Sequence, residues 1–172
     1  MAHAAIPDQI ENPSLNDYLE VITRAVFQAG LSWASIAQHW DAFRSAFDGF
    51  DAEKVAAYTE GDVDRLLHAP GILHSARKIR ATMHNAQTLT ELDRAHGGFE
   101  KYLESFPNYT ALSADIKRRF KFMGEMNVWY FLFRVRRPVP TFEKWVTTIP
   151  GDHPRMKEMV ERARLAGTST EH

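Results

Sequence analysis

The chain contains no cysteine, which removes disulfides, a thiolate nucleophile and cysteine-ligated zinc or iron–sulfur centres from the chemistry open to it. No apolar run reaches the length needed to cross a bilayer. The start, "MAHAAIPDQIENP", has no basic segment leading into an apolar stretch of the secretory kind. These absences predict a soluble, cytoplasmic protein with no membrane partner. The period-two alternation of a half-buried strand is missing as well, as are internal repeats, low-complexity tracts and long linkers. What remains is a chain of 172 residues, 44% hydrophobic, with enough apolar mass for the core of one domain spanning residues 1–172.

The formal net charge of -1 hides an uneven distribution. Residues 1–66 carry 4 basic and 11 acidic side chains, whereas residues 101–145 carry 9 basic and 4 acidic. The basic part gathers at Lys117, Arg118, Arg119 and Lys121, then at Arg134, Arg136 and Arg137. It is interleaved with Phe120, Phe122, Trp129, Tyr130 and Phe131. Such a cluster reads either as a solvated helix face or as a phosphate-binding surface.

Apolar residues recur at helical spacing almost throughout, so the chain reads as all-α. The pattern predicts helices near 15–28, 33–47, 52–58, 60–68, 74–95, 98–105, 112–120, 125–136, 141–148 and 153–165. Ser14 with Asp17, Thr59 before "EGDVDRLL", Ser113 before "ADIKRRF" and Asp152 with Pro154 read as start signals. Gly30, Gly49, Gly71, Gly97 with Gly98, and Gly167 read as stops.

Two stretches carry chemistry. "IKRRFKFMGEMNVWYFLFRV" reads as a basic helix, a turn at Met123 and Gly124, and an apolar helix. This helix-hairpin-helix would span about 112–136. Its turn glycine lets a backbone approach a phosphate, and the free N–H groups opening the second helix donate to the phosphate oxygens. Lys117, Arg118 and Lys121 would flank the same phosphates, and Glu125 must then turn aside. The competing reading is a hairpin that serves packing only. "HAPGILHSARKI" carries the same two readings around Arg77, Lys78 and Arg80. The second stretch, "FQAGLSW" (27–33), reads locally as a helix stop at Gly30, a cap at Ser32 and a core tryptophan at Trp33.

Taken in order, "FQAGLSW", "FRSAFDGFDAEKVAAYTEGDVDRLL", "GILHSARKIRATMHNA", "GGFEKYLESF" and "LSADIKRRFKFMG" resemble the DNA-3-methyladenine glycosylase I family of the helix-hairpin-helix superfamily. The resemblance runs from about Ser14 to Trp129. It implies a two-lobed helical fold and removal of alkylated bases, chiefly 3-methyladenine, flipped out of duplex DNA. A flipped cationic base would be selected by stacking on an aromatic face. Trp33 occupies the family's base-stacking position, and Phe27 and Gln28 precede it on the same base-binding segment.

The chain also departs from that pattern. Ala25 stands where the family carries a glutamate that hydrogen-bonds the base, and Asn16, Tyr18 and Glu20 are the neighbours that could take its place. The family's N-terminal aromatic block is replaced by "AAIPDQIENP". Its structural zinc uses two cysteines and two histidines, and Phe142 falls near one expected histidine, so no metal and no other cofactor is expected. His39, His68, His74, His84, His96 and His153 show no metal-ligand spacing. Near Thr141, where the superfamily places a catalytic aspartate, Glu143 is the nearest carboxylate. It reads either as the catalytic group or as an acid in a first helical turn. Met126 stands where lyase members carry lysine, so the expected activity is monofunctional. The expectation is a monomeric glycosylase acting on damaged duplex DNA, nucleoid-associated through that DNA. The alternative is a family member that binds DNA or lesions without excision.

Overall fold

The computed structural model describes residues 9–28 and 33–148, with Trp33 described by its backbone alone. Among these the chain forms α1 (Leu15–Gln28), α2 (Trp33–Ala46), a single 3-10 turn (Asp48–Phe50), α3 (Ala52–Ala56), α4 (Glu60–Leu67), α5 (Ala76–His96), α6 (Phe99–Glu104), α7 (Tyr109–Arg119), α8 (Glu125–Arg134) and α9 (Phe142–Val146). No strand occurs among the described residues. The helix expected over 153–165, with Asp152, Pro154 and Gly167, lies outside them, as do Gly30 and Ser32.

Local chemistry explains most boundaries. At α1 the Ser14 N–H donates to Asp17 Oδ2 at 2.9 Å, and the Asp17 N–H donates to Ser14 Oγ at 3.1 Å. This reciprocal pair satisfies two N–H groups that a helix start leaves free. Thr59 and Asp62 form a second capping box at α4. Gly97 ends α5 at φ 70, a left-handed conformation that glycine adopts without a Cβ penalty.

Two of the boundaries that differ from the sequence reading have a plain local cause. The helix expected to open at Ser113 starts at Tyr109, because Asn108, directly after Pro107, accepts from the Ala111 N–H at 2.9 Å and caps it. Ser113 is then a mid-helix residue, only 3% exposed. The helix expected to run to 136 ends at Arg134, since Arg136 takes a positive φ of 60 and Pro138 follows.

One contiguous core holds the elements together. α1 lies at its centre, packed against α2, α3, α5 and α8, while α7 packs on α8. Trp40 stacks on Phe43 and Phe50 at centroid separations of 5.1 and 5.2 Å, and Tyr18 reaches Phe99 at 4.8 Å. Around α8, Trp129 stacks on Phe133 at 5.1 Å and on Trp145 at 5.2 Å. The Trp129 indole N–H donates to the Pro140 carbonyl at 3.1 Å, which ties the approach to α9 onto α8. The apolar side of α8 therefore makes the hairpin part of the core, and its turn is held from beneath.

Candidate functional site

The turn between α7 and α8 runs from Phe120 to Gly124, and side chains from neighbouring helices hold its backbone. His84 Nε2 donates to the Arg119 carbonyl at 3.1 Å. The buried Asn85 amide donates to the Lys121 carbonyl at 3.1 Å and accepts from the Lys121 N–H at 2.7 Å. Asn127 Nδ2 donates to the Phe122 carbonyl at 2.7 Å, and Gln28 Nε2 donates to Asn127 Oδ1 at 3.2 Å. Two carbonyls of the turn, and that of Arg119 just before it, are thus tied back by side chains from α5 and α8. Among the described residues, the backbone N–H groups of Phe122, Met123, Gly124, Glu125 and Met126 have no hydrogen-bond acceptor. The result is a surface of donors at the N-terminus of a ten-residue helix, the arrangement that binds an anion.

Gly124 is the N-cap of α8 at φ -86, ψ -170, an extended conformation open to any residue. A Cβ built there meets nothing within 4 Å. Nothing inside the protein therefore requires glycine at this position, and the space its side chain would fill is open. The left-handed residue of the turn is Phe122, at φ 60. Its ring is 36% exposed and lies beneath the Arg77 guanidinium, 5.3 Å from the ring centroid. The second basic stretch thus meets the first at the turn.

The cations expected to flank a phosphate divide into two groups. Lys117 is paired with Glu125, so the Glu125 charge is balanced across the hairpin. Arg118 and Arg119 both bind Asp115. Lys121 is exposed and its ammonium has no ion-pair partner among the described residues. Met123 is 3% exposed, so only its backbone can meet a ligand.

Asp115 anchors this part of the surface. Burial works to raise its pKa, but hydrogen bonds from Tyr102, Arg119 and Arg118 outweigh burial and hold the carboxyl below its usual range. A lowered folded-state pKa gives stability that is present above the unfolded value, about 3.9, and is lost as pH falls through the folded value. Asp115→Asn is expected to destabilise the fold at neutral pH by ~1–3 kcal/mol, since the Tyr102 hydroxyl loses a charged acceptor. Urea melts of both proteins should converge as pH is lowered below about 4; a gap that persists there would contradict the assignment.

The base-binding segment is only partly in view. The side chain of Trp33 lies outside the described residues, so its reading as the stacking platform stays an expectation. Phe27 is corrected: it is 0% exposed, with its ring 4.9 Å from Phe43 and 6.0 Å from Phe47. Its neighbour Gln28 faces α8 instead, because successive helical residues point about 100° apart. Ala25 is also 0% exposed. None of the three neighbours stands in for a base-binding carboxylate there. Asn16 accepts from the Ala52 N–H at 2.9 Å, Tyr18 is in the core, and Glu20 accepts from the Trp40 indole at 2.8 Å while pairing with Arg44.

Arg24, which the sequence reading passed over, packs its guanidinium 5.2 Å from the Trp40 centroid. Burial lowers its pKa, with Tyr130 acting in the opposite direction. No sequence signal marked Arg24, Asn85 or Asn127, whose partners lie far away in the chain.

Glu143 is exposed in the first turn of the short helix α9. A cavity of about 680 Å³ separates α7 and the start of α8 from α9; Lys117, Glu125, Lys144 and Trp145 are among its walls, and Glu143 is not. A second cleft, about 270 Å³, lies between α2 and the loop at Gly71–Leu73, with Ser35, Ile36 and His39 on the α2 side. Among the described residues no group of three or more His, Asp or Glu is placed to hold a metal ion, and no helix is long and apolar enough to cross a membrane.

Among the described residues the chain is helical without strands, and its turn between α7 and α8 leaves backbone donors without acceptors. The chain belongs to the methyladenine glycosylase family, whose sequence model matches residues 12–127. It is 32% identical to DNA-3-methyladenine glycosylase 1 of Escherichia coli, in an alignment covering 61% of this chain and 67% of that protein. It is 26% identical to the DNA-3-methyladenine glycosylase of Haemophilus influenzae, over 61% of this chain and 68% of the relative. Among solved structures, 3-methyladenine DNA glycosylase I from Staphylococcus aureus matches with a TM-score of 0.66 and 29% identity, covering 77% of this chain and 80% of that one. A variant of 3-methyladenine DNA glycosylase I in complex with 3-methyladenine matches equally well in TM-score, 0.66, at 30% identity, covering 77% of this chain and 82% of that one.

Proposed function

We propose that this protein is a monofunctional DNA glycosylase that hydrolyses the N-glycosidic bond of an alkylated base, of the 3-methyladenine type, flipped out of duplex DNA. The observation that carries the DNA reading is the hairpin turn, with carbonyls tied inward and N–H groups left without acceptors. A phosphate of the strand carrying the lesion sits on these donors, close to Gly124, with Lys121 beside it. Trp33 stacks on the flipped base, and Gln28 holds the end of the segment that leads to it.

The chemistry asks little more of the protein. A cationic alkylated base is a good leaving group, so a dry, shaped site supplies much of what its departure needs. The C1′–N bond breaks with its electron pair leaving on the base, and a water oxygen then bonds to C1′ and loses a proton. The products are the free base and an abasic site. Glu143 is the carboxylate proposed to assist that water. With Met126 where lyase members carry lysine, no imine forms and the strand is left intact. The protein acts as a monomer, and its residence on DNA places it with the nucleoid.

One observation favours the second reading, a lesion-binding protein without excision: the position of the family's base-binding carboxylate is an alanine sealed in the core. Binding to duplexes with and without a stable abasic-site analogue tests the base flipping on which the glycosylase reading depends. An already unpaired site spares the few kcal/mol that flipping costs, so the analogue should bind about tenfold or more tighter; equal affinities would contradict base flipping.

Glu125→Gln supplies a test with the opposite sign to most substitutions. It releases Lys117 and removes a negative charge beside the phosphate site. Duplex affinity should rise severalfold, and the slope of log K against log salt should steepen by about 0.9 for the added phosphate contact. An unchanged slope would show that Lys117 does not reach DNA.

A further inference from the structure

We infer that Asn127 and Gln28 are positioning residues of the phosphate site: together they fix the orientation of the peptide unit joining Phe122 to Met123, so that its N–H faces the phosphate. The inference rests on the DNA reading above. In a trans peptide the C=O and N–H point in opposite directions. The Phe122 carbonyl is held inward by Asn127 Nδ2 at 2.7 Å, so the Met123 N–H is directed outward, where no acceptor occurs among the described residues. The unit before it obeys the same rule, with Asn85 holding the Lys121 carbonyl.

Gln28 determines which end of the Asn127 amide meets the turn. Its Nε2 donates to Asn127 Oδ1 at 3.2 Å, which commits that oxygen to α1 and leaves Nδ2 for Phe122. Without this donation the Asn127 amide is free to turn over, bringing its oxygen against the Phe122 carbonyl. Two like dipoles then repel, and the peptide turns its carbonyl toward the phosphate. Phe122 is the residue with a positive φ of 60 in the turn, where a non-glycine side chain is strained and the backbone depends on its neighbours to stay in place.

The pair also joins the two halves of the proposed site. Gln28 is the last residue of α1, ahead of the segment that leads to Trp33, and Asn127 is in the first turn of α8. A phosphate that settles on the turn is therefore sensed at the end of α1, through two hydrogen bonds in series, the second of them between residues 99 positions apart.

The test compares wild type with Asn127→Asp, which keeps the shape and removes the donor, and with Gln28→Glu, which removes the donation to Asn127 from outside the hairpin. The probe is an undamaged 15-base-pair duplex, titrated into ¹⁵N-labelled protein, with melting temperature measured in parallel. In wild type the Met123 amide should move downfield on adding duplex, as a donor to a charged oxygen does. In each variant that shift should be lost and affinity should fall about tenfold, the loss of one hydrogen bond to a charged group. The melting temperature should change little in Gln28→Glu, so that Gln28 carries the test if Asn127→Asp fails to fold. A Met123 shift of wild-type size in a folded variant, with unchanged affinity, would overturn the positioning role. A wild-type protein that binds no duplex and shows no Met123 shift would overturn the DNA reading itself, and the inference with it.

Discussion

Phe27→Ala is expected to destabilise the fold by about 3–5 kcal/mol, the range for deleting a buried phenylalanine side chain. The ring is 0% exposed and makes edge contacts with Phe43 and Phe47, so its removal leaves a cavity where α1, α2 and the 3-10 turn meet. For a chain of this length the melting temperature should fall by roughly 10 °C or more. Phe27→Leu should recover most of the loss, because it keeps most of the volume in an apolar site. A side chain that contacted the flipped base would behave differently: alanine would leave the melting temperature in place and abolish excision. Thermal melts with duplex-binding measurements on the same samples separate the two roles.

Gly124→Ala should do the reverse. The residue has an extended backbone and a Cβ there meets nothing within 4 Å, so the folded state accommodates the methyl group. Alanine also restricts the unfolded chain more than glycine does, and the melting temperature should hold or rise slightly. Duplex affinity should nonetheless fall by about tenfold or more, because the methyl group stands between the phosphate and donors that must approach within hydrogen-bond distance. Unchanged affinity would place the phosphate elsewhere and reduce the hairpin to a packing element. The contrast between these variants, one losing stability and the other losing binding, follows from which side of the backbone each residue faces.

Much of the helix order was legible because local chemistry wrote it. Ser14 with Asp17 and Thr59 with Asp62 cap their helices as short-range patterns suggest. Ser113 misled because serine is a common cap, whereas Asn108 after Pro107 was the stronger start and Ser113 faces the core. Phe27 misled for a different reason. Adjacency to a functional segment does not say which side of a helix a residue occupies, and Phe27 and Gln28 face different neighbours.

The geometry of the hairpin was the least legible part. Its basic residues suggested a phosphate surface, yet Arg118 and Arg119 are committed to Asp115, and Lys117 to Glu125. Side chains distant in sequence, His84, Asn85 and Gln28, complete the turn. Pairings across 35 to 99 positions leave no periodicity or spacing by which to foresee them.

The central claim is base excision, and its most direct measurement is the release of free bases from methylated genomic DNA by the purified protein, resolved by chromatography, with Trp33→Ala as the control. The account predicts release of an alkylated purine by the wild type, with strands left intact, and none by the variant despite retained duplex binding. Duplex binding without release by either protein would contradict it and leave a family member that holds DNA without excising a base.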